Sequence, residues 1–462
     1  HAAARVRQMI HTLLEVIMYI DLTRGNISRS LLLFALPMMA GNLLQQFYNI
    51  ADTLIVGRVL GSNALAAVGS AYTLMTFLTS IFLGLSLGSG ALFSIYQGRK
   101  DSIGLKKAVL HAFLLIMSVT VLLNIAVYAG LHPILLFLRV PEEVMGGMRE
   151  YLLVIFAGLV ATSLYNFFSC LLRSVGNSTV PLVFLAVSAL LNIGLDLLFV
   201  AVFSFGIAGA AWATVIAQYV SGIGIFLYTL LRCRELLPSR TELAFDRHIL
   251  KEIIRLSSMT CVQQSVMNFG ILMVQGLVNS FGPTVMAAFA AAVKIDTFAY
   301  LPVQDFGNAY STFIAQNYGA RNQERIRKGT RQAFLLSATF SIVISAIVCL
   351  FAAPLMQIFV SAAETAVIAC GVRYLHIEGA FYCGIGCLFL LYGYYRAIRQ
   401  AEMSVVLTVI SLGTRVLLAY LLSAHIGVTG IWMAIPIGWA LADITGLACM
   451  GRASRRIARE LS

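Results

Sequence analysis

Two acidic residues lie inside membrane-length apolar segments of the N-terminal half. Asp52 follows LLLFALPMMAGNLLQQFYNIA, which begins at Leu31, and Asp196 closes ALLNIGLD, with Asn192 one helical turn before it. A charge at the bilayer centre costs about 2.5–3.5 kcal/mol on insertion scales, so intramembrane acids usually have a function. Two carboxyl groups that meet in such a site can load a proton at one membrane face and release it at the other. Together with the amide of Asn192 and a hydroxyl such as that of Thr214, the same oxygens could instead hold a monovalent cation.

An internal repeat favours a functional role for this pair. The segment 61–77 matches 282–298 at a shift of 221 residues, and GIAG at 206–209 matches GVTG at the same shift. Shifted by 221, Asp52 falls on Met273; shifted by 223, Asp196 falls on Ala419 and Asn192 on Arg415. A requirement of the fold should appear in both halves, whereas this pair appears in one. The alternative is two buried acids satisfied by hydroxyl or backbone groups.

The C-terminal half has ionisable residues of its own. The apolar segment 291–320 contains Lys294, Asp296 and Asp305. Lys294 could pair with a carboxylate and leave a mixed-charge surface for substrate or a gate, or it could form a purely structural ion pair. The other candidates for substrate contact or gating are Gln46, Glu378 and Arg415. Pro37 and Pro302 fall inside predicted helices, where they should produce kinks and possible hinges.

The composition indicates that these residues belong to a membrane protein. Of 462 residues, 60% are hydrophobic and 11% are charged, with mean hydropathy +0.88; soluble domains have about 25% charged residues. The net charge is +12, but its basic residues cluster between apolar segments, which argues against nucleic acid as a partner. The apolar segments predict an all-α integral membrane protein with twelve spans. The predicted spans, numbered in order, are 31–57, 64–96, 108–130, 150–172, 181–203, 208–231, 254–280, 284–316, 331–353, 372–395, 403–424 and 429–450.

The repeat and the charge distribution predict the organisation of these spans. Six spans per half insert both halves the same way, giving two pseudo-symmetric six-helix bundles. With both termini in the cytoplasm, 26 of the 32 basic residues lie on the cytoplasmic side, as the positive-inside rule expects. The predicted parts are an amphipathic N-terminal segment (1–30), an N-lobe (31–231), a cytoplasmic linker (232–252), a C-lobe (253–450) and a basic tail (451–462).

This organisation is typical of an alternating-access carrier. No GxxxxGK[ST] motif is present, so ATP is not expected to drive transport directly. We find no catalytic constellation and no metal-ligand set, and expect no enzyme activity and no cofactor beyond a transported proton or Na⁺. The expected partners are a small-molecule substrate and the lipid bilayer, and the expected state is a monomer. A lipid-linked precursor flippase is the alternative, although the few basic residues inside the spans argue against a pyrophosphate site.

Several motifs together resemble the multidrug and toxic-compound extrusion (MATE) family. They are ALPMMAGNLLQQFYNIADTLIVGRVLG (35–61), LNIGLD on span five, AAVKIDTFAYLPVQDFGNAYSTFIAQNYGAR (291–321) and RIRKG, and the likeness runs from about residue 22 to the end. The resemblance implies a cell-membrane protein that exports amphipathic, often cationic compounds in exchange for protons or sodium.

The resemblance also implies site residues. In the bacterial branch with an N-lobe cation site, that site falls on Asp52, Asn192 and Asp196, with supporting polar positions at Tyr151, Asn166 and Thr214. Pro37 matches a proline associated with bending of span one. Span seven lacks the acid of the sodium-coupled pattern and has Gln263 and Gln264 instead. This departure puts a C-lobe cation site in doubt, although Glu378 leaves it open.

Overall fold

The computed structural model describes residues 19–137, 142–239 and 245–461. Most of the predicted N-terminal amphipathic segment therefore lies outside the described residues. The described residues form sixteen α-helices and contain no β-strand. The helices are α1 (Ile27–Leu60), α2 (Ser62–Arg99), α3 (Ser102–Ala129), α4 (Leu131–Phe137), α5 (Glu142–Ile155), α6 (Leu159–Ser174), α7 (Thr179–Asp196), α8 (Gly206–Arg232), α9 (Arg247–Asn279), α10 (Pro283–Gly319), α11 (Gln323–Leu350), α12 (Ala352–Gln357), α13 (Thr365–Gly379), α14 (Tyr382–Ala397), α15 (Ala401–Ile426) and α16 (Val428–Leu461).

The described helices confirm the prediction of an all-α membrane protein. Eleven segments are long and apolar enough to cross a bilayer, or up to twelve if the bent pair α13 and α14 is one span. Each helix satisfies its own backbone hydrogen bonds, which is what a segment surrounded by lipid requires. The many apolar side chains on the outer faces, such as Leu122, Leu190 and Leu350, are exposed by 66–78% and are suited to contact with acyl chains.

The chain divides into two compact units. The first comprises the described part of His1–Asp21 and Leu36–Cys261; the second comprises Leu22–Ala35 and Val262–Ser462. The changes from one unit to the other therefore fall between Asp21 and Leu22, within α1 next to Pro37, and within α9. The predicted lobe boundaries at residues 231 and 253 follow the linker instead, and they stay predictions.

Both units repeat the same turn conformations. Gly61 and Gly282, which precede α2 and α10, have φ of 89° and 95°, and Lys100 and Arg321, which follow those helices, have φ of 58° and 56°. The next residue caps the following helix in each case. Asp101 accepts from the amide of Gly104 at 2.8 Å, and Asn322 accepts from the amide of Arg325 at 3.0 Å. The 221-residue repeat is therefore visible in the backbone as well as in the sequence.

Predicted spans four and ten each consist of two α-helices. Span four consists of α5 and α6 joined by a 3₁₀ turn at Phe156–Gly158. Span ten is broken between α13 and α14, whose axes differ by 50°. At this break the amide of Phe381 donates to the carbonyl of Glu378 and that of Gly384 donates to Phe381, at 3.0 and 2.8 Å. These i→i+3 bonds tighten the backbone and end the α-helical geometry.

Candidate functional site

Close packing of two helices brings the predicted carboxyl pair together in the first unit. At Gly41 on α1 an added Cβ would lie 3.3 Å from Cδ2 of Leu185 on α7, so the glycine allows a close approach. Asp52 and Asp196 each lie about three turns farther along their helices, on the same faces as Gly41 and Leu185. Equal spacing on both helices aligns the two acids side by side.

The two carboxyl groups lie close enough to hydrogen-bond each other. A bond between two carboxyl groups requires a proton, because a carboxylate can only accept. Asp196 is 0% exposed, whereas Asp52 is half-buried. One oxygen of each, Oδ1, has no hydrogen-bond partner among the described residues. The geometry therefore allows the pair to bind a proton between its carboxyl groups, with two further oxygen atoms available as acceptors.

Asn192 and Thr214 complete the pair's polar surroundings. In the amide orientation that suits both neighbours, the Asn192 nitrogen donates to Oδ2 of Asp196 and its oxygen accepts from the hydroxyl of Thr214, both at 3.2 Å. Thr214 also lies within hydrogen-bonding distance of the carbonyl of Ala210, at 3.1 Å. Four neutral or acidic side chains from α1, α7 and α8 thus form one connected group of polar contacts.

Two tyrosines lie next to the pair. Tyr151 on α5 is 7% exposed, hydrogen-bonds Thr214 and lies close to both carboxyl groups. Tyr48, one turn before Asp52 on α1, also lies close to both acids. Tyr48 is not among the site residues predicted from the sequence, although its i−4 spacing from Asp52 was a usable signal.

Irregular helical geometry occurs at this site. A π-helical segment, Leu197–Val202, begins directly after Asp196, and the 3₁₀ turn of span four begins one turn after Tyr151. Such irregularities are frequent at functional positions of helices. They re-aim side chains that a regular helix would point elsewhere.

Two further N-terminal candidates are placed less centrally. The amide of Asn166 on α6 donates to the carbonyl of Thr162 in its own helix at 2.9 Å. Gln46 is half-buried on α1, and its position is rotated about 120° around the helix from Asp52. Their roles stay predictions.

A second buried carboxyl pair lies in the second unit. Asp296 on α10 and Glu378 on α13 are 2% and 6% exposed and are hydrogen-bonded to each other. The hydroxyl of Tyr382 donates to Oδ1 of Asp296, and Tyr374 bonds both acids. Arg415 on α15 lies close enough to both carboxyl groups to interact electrostatically. The sequence analysis selected Asp296, Glu378 and Arg415 separately, and the fold places all three in one cluster.

The other C-terminal candidates lie apart from the buried pair. Lys294 is exposed, and its Nζ lies over the ring of Phe359, 5.7 Å from the centroid. Asp305, more than two turns farther along α10, is 3% exposed. Pro302 is buried inside the continuous helix α10, as Pro37 is inside α1. Whether these residues act as gates or hinges stays a prediction.

Comparison with known proteins identifies the family of this two-unit helical chain. A family model described as MatE matches residues 37–198 and 258–421, which include both carboxyl pairs. The chain belongs to the MatE family. The resemblance to multidrug and toxic-compound extrusion transporters is thereby confirmed.

Individual relatives match nearly the whole chain. The chain is 31% identical over 426 residues to the probable multidrug resistance protein YpnP of Bacillus subtilis, covering 92% of this chain and 94% of the relative. It is 25% identical to the probable multidrug resistance protein NorM of Thermotoga maritima, over 90% of each chain. A crystal structure of MATE in complex with MaL6 has the same fold, with a TM-score of 0.89 at 23% identity over 95% of this chain and 99% of that one.

The family assignment defines the general activity. As a MatE protein, the chain is a multi-pass membrane transporter of the multidrug efflux type, and its relatives are transporters rather than enzymes. Its substrates are accordingly small molecules.

Proposed function

We propose that this MatE transporter is a cation-coupled antiporter that exports amphipathic or cationic organic compounds by alternating access. The observation that carries the proposal is the hydrogen-bonded Asp52–Asp196 pair, surrounded by Asn192, Thr214 and Tyr151 in an apolar helical unit. An ion that neutralises this pair removes a charge that the bilayer disfavours. Ion binding therefore changes the energy of the unit, which is what coupling requires.

The pair accounts for exchange in a simple cycle. Outward-facing protein takes up the ion at Asp52 and Asp196 while substrate leaves, and the loaded form returns to release the ion inside. One unit charge moving down 100 mV supplies about 2.3 kcal/mol, enough for a roughly fiftyfold substrate gradient. The ion is a proton or Na⁺: two carboxyl groups at this distance can share a proton, and the carboxyl oxygens with the amide and hydroxyl are ligands suited to sodium.

We place this antiporter in the cell membrane, as a monomer without a cofactor and with both termini in the cytoplasm. The excess of basic residues in alternate connections supports this orientation. The competing flippase function would need free basic groups for a pyrophosphate. Arg415 is half-buried beside two acids, an arrangement that does not favour that function.

Transport in proteoliposomes tests the proposal. Purified protein is reconstituted, and efflux of the dye cation ethidium is followed under an imposed pH gradient and, separately, under a sodium gradient. We expect one gradient to drive the wild type, and Asp52→Asn to lose at least tenfold of the gradient-driven rate because it cannot share a proton or supply a full negative charge.

A matched variant separates coupling from general damage. Asp443→Asn changes another buried acid, on α16 in the second unit, whose carboxyl contacts the thiol of Cys387. It should keep most of the gradient-driven rate. The proposal is wrong if neither gradient drives the wild type, or if folded Asp52→Asn transports as fast as the wild type.

A further inference from the structure

Two side chains beside the second carboxyl pair occupy positions equivalent to side chains beside the first pair. At the shift of 223 residues, Tyr151 corresponds to Tyr374, and each tyrosine bonds side chains of its own cluster. At the same shift Asn192 corresponds to Arg415, and each lies beside its cluster's acids. The acids themselves come from different helices in the two units. The position of the partner side chain is therefore kept while its charge is changed.

Counting charges distinguishes the two clusters. Each pair has two carboxyl groups close enough to share one proton, and sharing it leaves one negative charge per pair. In the second unit the guanidinium of Arg415, which is always charged in proteins, cancels that charge. In the first unit the equivalent side chain is the neutral amide of Asn192. The first cluster is therefore one positive charge short of the second.

The guanidinium acts in the second cluster through its charge. Nε of Arg415 makes no hydrogen bond to a described residue, and neither do Oδ2 of Asp296 and Oε2 of Glu378. Lys294, the other basic residue of this region, is exposed and lies over Phe359. Compensation of the buried pair thus falls to Arg415.

We propose that Arg415 is a tethered cation that fills, in the second unit, the place that the coupling ion fills in the first. This inference rests on the proposed function. It means that the second unit, although it contains two buried acids, takes up no coupling ion. One ion-coupling site then operates per chain, and Arg415 is the residue that sets that number.

Equilibrium ion binding tests the inference without any transport step. The background is Asp52→Asn/Asp196→Asn, which disables the first site. Retained ²²Na⁺ and proton uptake from weakly buffered solution are measured on purified protein, with choline chloride as the control salt. We expect the background to bind no sodium. Its proton uptake near neutral pH, to which the seven histidines contribute, is the baseline for the variants below.

Removing the tethered charge should create a new site. Adding Arg415→Gln should raise binding by about one positive charge per chain above the background, as Na⁺ or as an extra proton. Adding Arg415→Lys, which keeps the charge, should leave binding at the background level. The inference is wrong if folded Arg415→Gln protein gains neither ion, or if the background with Arg415 intact already binds one Na⁺ per chain.

A second variant keeps the test decisive if Arg415→Gln does not fold. Glu378→Gln/Arg415→Gln removes one negative and one positive charge together, so the cluster stays neutral. It should fold and gain no ion. If the single variant does not fold and the double variant does, the charge count is supported; failure of both contradicts it. If the rate of ethidium efflux by the wild type depends on neither gradient, the proposed function is wrong, whatever these binding results are.

Discussion

At the scale of single residues, the site depends on side chains that satisfy one another in a fixed orientation. Asn192 is 2% exposed and bridges Asp196 to Thr214 through both ends of its amide. A buried polar atom that loses its partner costs about 1–3 kcal/mol. Asn192 is therefore expected to act as a positioning residue that keeps Asp196 directed at Asp52.

Replacing Asn192 by leucine should impair both stability and coupling. Asn192→Leu keeps the side-chain volume but leaves Oδ2 of Asp196 and the hydroxyl of Thr214 without this partner. We expect a lower melting temperature in detergent and a several-fold loss of gradient-driven efflux. Asn166→Leu is the comparison, because the Asn166 amide bonds only a carbonyl of its own helix among the described residues. Equal losses in the two variants would contradict the special position of Asn192.

The sequence was sufficient to select the two acids that the fold brings together, but not all of their neighbours. Asp52 and Asp196 stood out because a charge is costly in an apolar segment and because the second half lacks them. Tyr48 gave a weaker signal, since aromatic residues are common in membrane helices and only its spacing from Asp52 distinguishes it. The clustering of Asp296, Glu378 and Arg415 required the fold, because three different helices contribute them.

At the scale of elements, hydrophobicity predicted which segments are helical but not where they break. Apolar content identifies a span because a bilayer excludes unpaired backbone groups. The break of span ten at residues 380–381 depends on two i→i+3 bonds, and neither proline nor a glycine pair marks it in the sequence. The break lies between Glu378 and Tyr382, so it also sets the geometry of the second cluster.

Asp246, which precedes α9, caps the start of that helix and contacts residues of α3. Oδ1 of Asp246 accepts from the amides of His248 and Ile249 at 3.0 and 3.2 Å, and Lys107 on α3 lies 3.6 Å from Oδ2. The Asp246 amide donates to Nε2 of His111 at 3.0 Å. Because Nδ1 of His111 faces the carbonyl of Lys107 at 2.7 Å, the ring binds both groups in its neutral form with the proton on Nδ1.

These contacts predict a pH-dependent helix start. The pKa of the Asp246 carboxyl lies below its ordinary value because its neighbours stabilise the carboxylate. The largest effect comes from the backbone amide of Ile249, and the amide of His248 and the charge of Lys107 add to it. A carboxyl group with a lowered pKa stabilises the fold at pH values above its ordinary pKa. That contribution is lost as the pH falls through the lowered pKa. Asp246→Ala should speed amide exchange at residues 247–250 roughly fivefold at pH 7, as loss of an N-cap does.

Hydrogen exchange followed by mass spectrometry checks this prediction. The difference between Asp246→Ala and wild type should shrink below about pH 4, where the wild-type carboxyl takes up its proton. Asn322→Ala at the start of α11 is the matched control, because its cap does not titrate. A difference at Asp246 that is the same at every pH would show that the carboxylate charge is unimportant there.

At the scale of the whole molecule, the repeat predicts how the chain is inserted. Gly206 and Gly427, at the 221-residue shift, have φ of 66° and 63°, and Gly176 and Arg399, at 223, have φ of 94° and 64°. The two halves thus turn back at corresponding points. An even number of spans before the second half gives both halves the same orientation.

The orientation itself is tested by reporters at these turns. Green fluorescent protein fluoresces when it folds in the cytoplasm, and alkaline phosphatase is active only outside it. Fusions after Lys100, between α2 and α3, and after the C-terminus should fluoresce and lack phosphatase activity. Fusions after Gly130, which follows α3, should behave in the opposite way. The charge asymmetry orients both halves in the same way. The reverse reporter pattern at Lys100 would therefore contradict the cytoplasmic placement of both termini. It would also reverse the direction in which Asp52 and Asp196 exchange their ion.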